Sequence, residues 1–118
     1  MSGYLTTHVL DTAAGCPGEG ISLTLYRVVD GQLTEVTRAV TNSDGRVDSP
    51  VLAGSDFTKG VYELHFSAGD YFRRNGTALA DPAFLDEVVI RFGIAEEQAH
   101  YHVPLLISPY SYSTYRGS

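Results

Sequence analysis

Apolar residues in this chain recur at every second position, and nowhere do they hold a helical period over ten or more residues. A period of two puts apolar side chains on one side of an extended strand and polar ones on the other. Leu5, Thr7 and Val9 alternate with Thr6, His8 and Leu10, which predicts a first strand over about residues 5–10. The stretch 11–20 holds Gly15, Pro17, Gly18 and Gly20 and reads as loop. A second strand over 21–29 turns Ile21, Leu23 and Leu25 toward a core. Asp30-Gly31 suits a two-residue hairpin turn, so residues 32–41 return antiparallel. Asn42-Ser43-Asp44-Gly45 is another turn and leads into Arg46-Val47-Asp48.

The pattern resumes at 61–67, where Tyr62, Leu64 and Phe66 alternate with Glu63 and His65. Residues 70–75 allow one short helical turn, and 84–94 contain a further apolar strand. Ala99, Tyr101, Val103, Leu105 and Ile107 then share one strand face, while His100, His102, Pro104, Leu106 and Ser108 share the other. Pro109 ends that strand, and a short last one falls within 110–116. Seven to eight short strands with at most one short helix imply an all-β, two-sheet sandwich. No helical segment lies between strands to build a βαβ unit. Residues 1–118 are expected to form a single domain, since 118 residues are too few for two ordinary ones.

Charge narrows the partners. Fourteen acidic side chains against eight basic ones give a formal net charge of -6, and Lys59 is the one lysine. Nucleic acid needs a concentrated basic face, which the Arg73-Arg74 pair does not supply. No apolar run approaches the length of a membrane span, and the first residues lack the layout of a secretion signal. The single cysteine, Cys16, cannot close an internal disulfide, and no local signature marks it as a nucleophile. The expected compartment is therefore the cytoplasm.

Four histidines carry the chemistry worth weighing: His8, His65, His100 and His102. His100 and His102 share a strand face, and His8 with Asp48 could complete a metal set on paper. No spacing fixes that convergence, so no metal or cofactor is expected. His8 sits on the polar face of a strand otherwise suited to burial, and a neutral imidazole can take a proton from water. Arg46, just past a tight turn, offers a rigid fork of donors for an anion or a developing oxyanion. Neither Thr77 nor Ser118 has a local activating signal, and the known nucleophile and phosphate-loop motifs are absent. Direct attack by water is the simpler hydrolytic route. From the residues alone, the plainer reading of His8 and Arg46 is a surface histidine and a solvated turn arginine.

Three segments settle more than the pattern does. Leu5-Thr6-Thr7-His8-Val9-Leu10-Asp11, Thr41-Asn42-Ser43-Asp44-Gly45-Arg46, and His100 through Ser118 with its Ser108-Pro109-Tyr110-Ser111-Tyr112-Ser113-Thr114 passage resemble the transthyretin-related 5-hydroxyisourate hydrolases. Transthyretin, a carrier, shares that last passage but differs where the hydrolases place their histidines, arginine and terminal tetrapeptide. Here the enzyme-type residues are all present, including Tyr115-Arg116-Gly117-Ser118. The resemblance implies a transthyretin-like sandwich and hydrolysis of 5-hydroxyisourate in urate degradation. It further implies a catalytic trio of His8, Arg46 and His102, with Tyr115, Arg116 and Ser118 also binding substrate. A homotetramer, built as a dimer of dimers with sites between subunits, follows from the same resemblance.

Overall fold

The computed structural model describes residues 3–118. Among these residues nine strands, β1 (Tyr4–Asp11), β2 (Cys16–Pro17), β3 (Ser22–Val29), β4 (Gln32–Val40), β5 (Leu52–Ala53), β6 (Gly60–Ser67), β7 (Glu87–Ile94), β8 (His100–Ile107) and β9 (Tyr112–Thr114), accompany one α-helix, α1 (Ala68–Arg74), and a single 3-10 turn at Gly54–Asp56. Two sheets face each other. One has the order β2-β1-β8-β9, with β5 also pairing β1; the other has the order β4-β3-β6-β7. The expected all-β sandwich is therefore the observed one. Strands β2 and β5 escape sequence reading because two residues cannot display a period.

The core is what the alternation foretold. Leu5, Val9, Leu23, Leu25, Leu64, Phe66, Leu105 and Ile107 are buried between the sheets. Each such side chain contributes about 1.5–3 kcal/mol by leaving water. The turn after β3 carries positive φ at both Asp30 (50°) and Gly31 (77°), the backbone that matches the twist of a hairpin. The strands expected within 84–94 and 110–116 are shorter than those spans, at Glu87–Ile94 and Tyr112–Thr114. Helix α1 starts at Ala68, two residues before the expected turn, and buries Tyr71 and Phe72. Among the described residues no helix is long and apolar enough to cross a membrane.

One pairing positions everything that follows. Strands β1 and β8 run parallel, in the register Tyr4↔His100, Thr6↔His102 and His8↔Pro104. Their shared period sends Leu5, Val9, Tyr101, Val103 and Leu105 into the core. The same register lines up Tyr4, Thr6 and His8 beside His100 and His102 on the opposite, outer face.

Candidate active site

A cleft of about 350 Å³ opens on that outer face, lined by Tyr4, Thr6, Arg46, His100, His102 and Ser118, with Thr7 and Val47 completing its wall. Small-molecule pockets run from roughly 300 to 1,000 Å³, so it is large enough for a compact heterocycle. His102 reaches it from the middle of β8, and Thr6 from the facing position on β1. Arg46 arrives by a different route. The turn before it presses against β1, with Val9 N–H donating to the Gly45 carbonyl at 2.8 Å, and Arg46 pairs with His8 as a lone antiparallel bridge. Gly45 has φ 76°, and a Cβ there would lie 2.3 Å from the Val9 carbonyl oxygen. Any side chain at 45 would push the turn, and Arg46 with it, away from the histidines.

The hydrogen bonds assign protons. His8 Nε2 lies 2.9 Å from the Asp44 carbonyl oxygen, which can only accept, so Nε2 carries the proton and Nδ1 is the basic nitrogen of the neutral ring. The Thr6 hydroxyl lies 2.7 Å from His102 Nδ1 and 2.7 Å from His100 Nε2. His100 stacks on Tyr4 with ring centroids 4.2 Å apart. Burial, then the charges of Arg46, His100 and His8, hold the His102 imidazole below its ordinary value, so it stays neutral into mild acid. None of the ion pairs among the described residues involves Arg46. The cleft thus offers the neutral imidazole of His102 beside a guanidinium free to meet oxygen or an electron-rich ring.

The terminal segment divides. Gly117 bridges to His102, its N–H donating to the His102 carbonyl at 2.8 Å, and Ser118 lines the cleft. A Cβ on Gly117 would come within 2.5 Å of His102 Cδ2, so only glycine lets this segment lie against the ring. Tyr115 and Arg116 instead line a neighbouring crevice between β7 and β9, with the Arg116 guanidinium 4.0 Å above the Tyr101 ring. Of the residues singled out from sequence, His8, Arg46, His102 and Ser118 converge within one chain, while Tyr115 and Arg116 stand one crevice away. His8, His100, His102 and Asp48 form no metal-holding group among the described residues, and Asp48 accepts from Asn42 Nδ2 at 2.9 Å. Thr6 and Tyr4 escaped sequence reading, although the period of β1 already placed both on the face of His8.

A larger crevice of about 440 Å³ contains Arg27, Val36, Asp56 and Tyr62. Its arginine is tied to Thr58, Tyr62 and the Lys59 carbonyl, which leaves it little to offer a ligand. The smaller cleft is the one that gathers histidines and an arginine outside any ion pair among the described residues.

Comparison with known proteins follows the same lines. Residues 5–117 match the model of the HIUase/Transthyretin family. A 5-hydroxyisourate hydrolase of Pseudomonas aeruginosa is 66% identical over 116 residues, covering 98% of this chain and 92% of the relative. The solved 5-hydroxyisourate hydrolase of Klebsiella pneumoniae superposes with TM-score 0.81 at 36% identity, covering all of both chains. A crystallised (S)-allantoin synthase superposes with TM-score 0.93 at 48% identity; the match covers 99% of this chain but 44% of that one.

Proposed function

The chain belongs to the HIUase/Transthyretin family, and from that premise we propose that it is an enzyme hydrolysing 5-hydroxyisourate to 2-oxo-4-hydroxy-4-carboxy-5-ureidoimidazoline. The observation that carries this reading is that Arg46 and His102 line one cleft and that the β1–β8 register and the His8–Arg46 bridge bring His8 beside Arg46 at its edge. A neutral imidazole takes a proton from water, and the resulting hydroxide adds to the C6 carbonyl of the six-membered ring. Arg46 stabilises the negative charge that develops on that oxygen. Collapse of the tetrahedral adduct breaks the ring C–N bond, and the departing nitrogen takes up a proton from an imidazolium. Ser118 closes the cleft wall, and Tyr115 and Arg116 contribute from the adjoining terminal segment. No cofactor enters these steps. The chain works as one domain, and a lone exposed cysteine suits a reducing compartment, the cytoplasm.

The working form we infer is a homotetramer. Strands β7 and β9 are each the last strand of a sheet, and the crevice they share opens on the same side of the sandwich. Unpaired strand edges invite a second copy. The exposed rings of Phe84, Tyr110, Tyr112 and Tyr115 supply apolar contact area around them. Sedimentation equilibrium at micromolar protein should give four times the monomer mass; monomer throughout would remove the tetramer.

The activity is tested by generating 5-hydroxyisourate in situ with urate oxidase and following its ultraviolet signal. The chain should accelerate the decay well beyond the spontaneous rate. A decay at the spontaneous rate would leave a ligand carrier or a purely structural sandwich as the reading.

A further inference from the structure

Thr6 and His100 take no part in the steps above, yet they are the groups that hold His102. One hydroxyl stands between two imidazoles, 2.7 Å from each. A hydroxyl carries a single proton, so with both rings neutral it donates to one and accepts from the other. If His102 Nδ1–H donates to Thr6, then Thr6 donates to His100 Nε2, and His102 Nε2 keeps a bare lone pair. If the chain runs the other way, His102 carries its proton on Nε2 and can take none there from water. Only the first arrangement leaves His102 a base at the nitrogen that Thr6 does not occupy.

A second need points the same way. Once His102 Nε2 has taken the proton of water, a cation sits beside Arg46 in a part-buried site, where like charge disfavours it. Transfer of the Nδ1 proton to Thr6 Oγ1, as Thr6 releases its own to His100 Nε2, relieves this. One N–H and one O–H bond break while one O–H and one N–H form. His102 is left neutral with its proton on Nε2, and His100, already protonated on Nδ1, becomes the imidazolium. That cation is stacked on the Tyr4 ring at an interplanar angle of 13°, and an aromatic face attracts positive charge. Reversal as the ring C–N bond breaks returns the proton to His102 Nδ1 while Nε2–H passes to the departing nitrogen. Arg46 and His8 oppose a lasting positive charge on His102, and the Arg116 guanidinium reaches the His100 carbonyl at 3.4 Å from the terminal segment.

We propose that Thr6 and His100 are positioning residues for His102: the Thr6 hydroxyl fixes the Nδ1–H tautomer and relays the second proton to His100 and back. The relay rests on the hydrolase reading of this cleft, whereas the tautomer can be read without substrate. The experiment combines 15N NMR of histidine-labelled protein with turnover of 5-hydroxyisourate for the parent, Thr6→Val, Thr6→Ser and His100→Phe. In the parent, His102 should carry its proton on Nδ1 at neutral pH. Thr6→Val should switch it to Nε2 and lower kcat/KM by roughly 10²-fold, the low end for a positioned acid or base, mostly through kcat. Thr6→Ser should restore both, and His100→Phe, which keeps a ring on Tyr4, should lose rate with KM near the parent value. An Nε2–H tautomer in the parent overturns the proposal, and so does a Thr6→Val variant turning over at the parent rate. A parent that does not speed the decay sinks the hydrolase reading and the relay with it, while a parent active beside an equally active Thr6→Val sinks the relay alone. Should Thr6→Val not fold, the parent's tautomer and the His100→Phe rate still decide.

Discussion

Histidines stand on the outer faces of both sheets, and the two settings use the same ring in opposite ways. On the β3–β6–β7 face, His65 has Nε2 against Glu63 at 2.8 Å and Nδ1 against Glu87 at 3.0 Å. Arg91 donates to the other oxygen of Glu63 at 2.8 Å, and the Tyr26 ring packs 4.5 Å from that of His65. Both ring nitrogens of His65 are thus occupied by carboxylates, and Glu63 has Arg91 as its opposite charge. On the β1–β8 face the neighbours are a guanidinium, two further imidazoles and a hydroxyl, with no carboxylate holding His102. Carboxylates stabilise a protonated ring and retire it from proton transfer. An excess of cations keeps the ring neutral and ready to accept a proton.

Removing the ring from the cationic face should have the largest effect. His102→Asn keeps a polar side chain but ends imidazole proton transfer. We expect kcat/KM to fall roughly 10²–10⁴-fold, about 3–5 kcal/mol of transition-state stabilisation, with thermal unfolding and tetramer mass near the parent's. Near-parent turnover, or loss only through unfolding, would strike His102 from the catalytic groups. Arg46→Gln removes the cation that distinguishes the two faces. Losing one stabiliser of the developing oxygen charge typically costs about 10²–10³ in kcat, and an unchanged rate would deny Arg46 that role.

The inward side of the same strand supplies a control. Val103 is 6% exposed, and Val103→Asn buries an amide without a prepared partner, costing about 1–3 kcal/mol of stability. Its unfolding midpoint should drop far more than that of His102→Asn; the reverse order would mean that the two faces of β8 are misassigned.

Smaller effects lie in the pH dependence. Because His102 is held below its ordinary value of 6.5 by burial and by Arg46, His100 and His8, the neutral base persists into mild acid. The acid limb of kcat/KM should have its midpoint below 6.5 and move upward in Arg46→Gln. A limb that stays in place would show that Arg46 does not act on the ring. The smallest change in turnover belongs to the other face. Glu63→Gln should leave hydrolysis within about twofold of the parent, since surface changes away from a site act mainly on stability. Hydrogen bonds from His65 and Arg91 hold the Glu63 carboxylate below its usual 4.5, so its stabilisation is present above that pH and lost as acid protonates it. The parent's advantage in unfolding temperature should therefore narrow as pH falls below 4.5, and a constant gap would argue against the ion network.

The sequence by itself determined the longer strands, the Asp30-Gly31 hairpin and the inward and outward sets of β1, β3, β6 and β8, because a two-residue period and a tight turn are local properties. It also put His102 on the face away from Val103, and it placed Arg46 just past a glycine turn. Tertiary structure alone decided what those faces meet. The pairing of β1 with β8 joins Thr6 to His102 across 96 positions, and no local preference encodes a register between strands so far apart. Docking of the Gly45 turn beneath Val9, which brings Arg46 to His8, needs a close backbone approach that the glycine permits but does not specify. Likewise the terminal tetrapeptide was legible as a unit, yet the fold splits it. Gly117 and Ser118 lie with His102, while Tyr115 and Arg116 turn toward β7, because the Gly117 backbone pairs with His102 and the Arg116 guanidinium stacks on Tyr101, contacts between residues far apart in sequence.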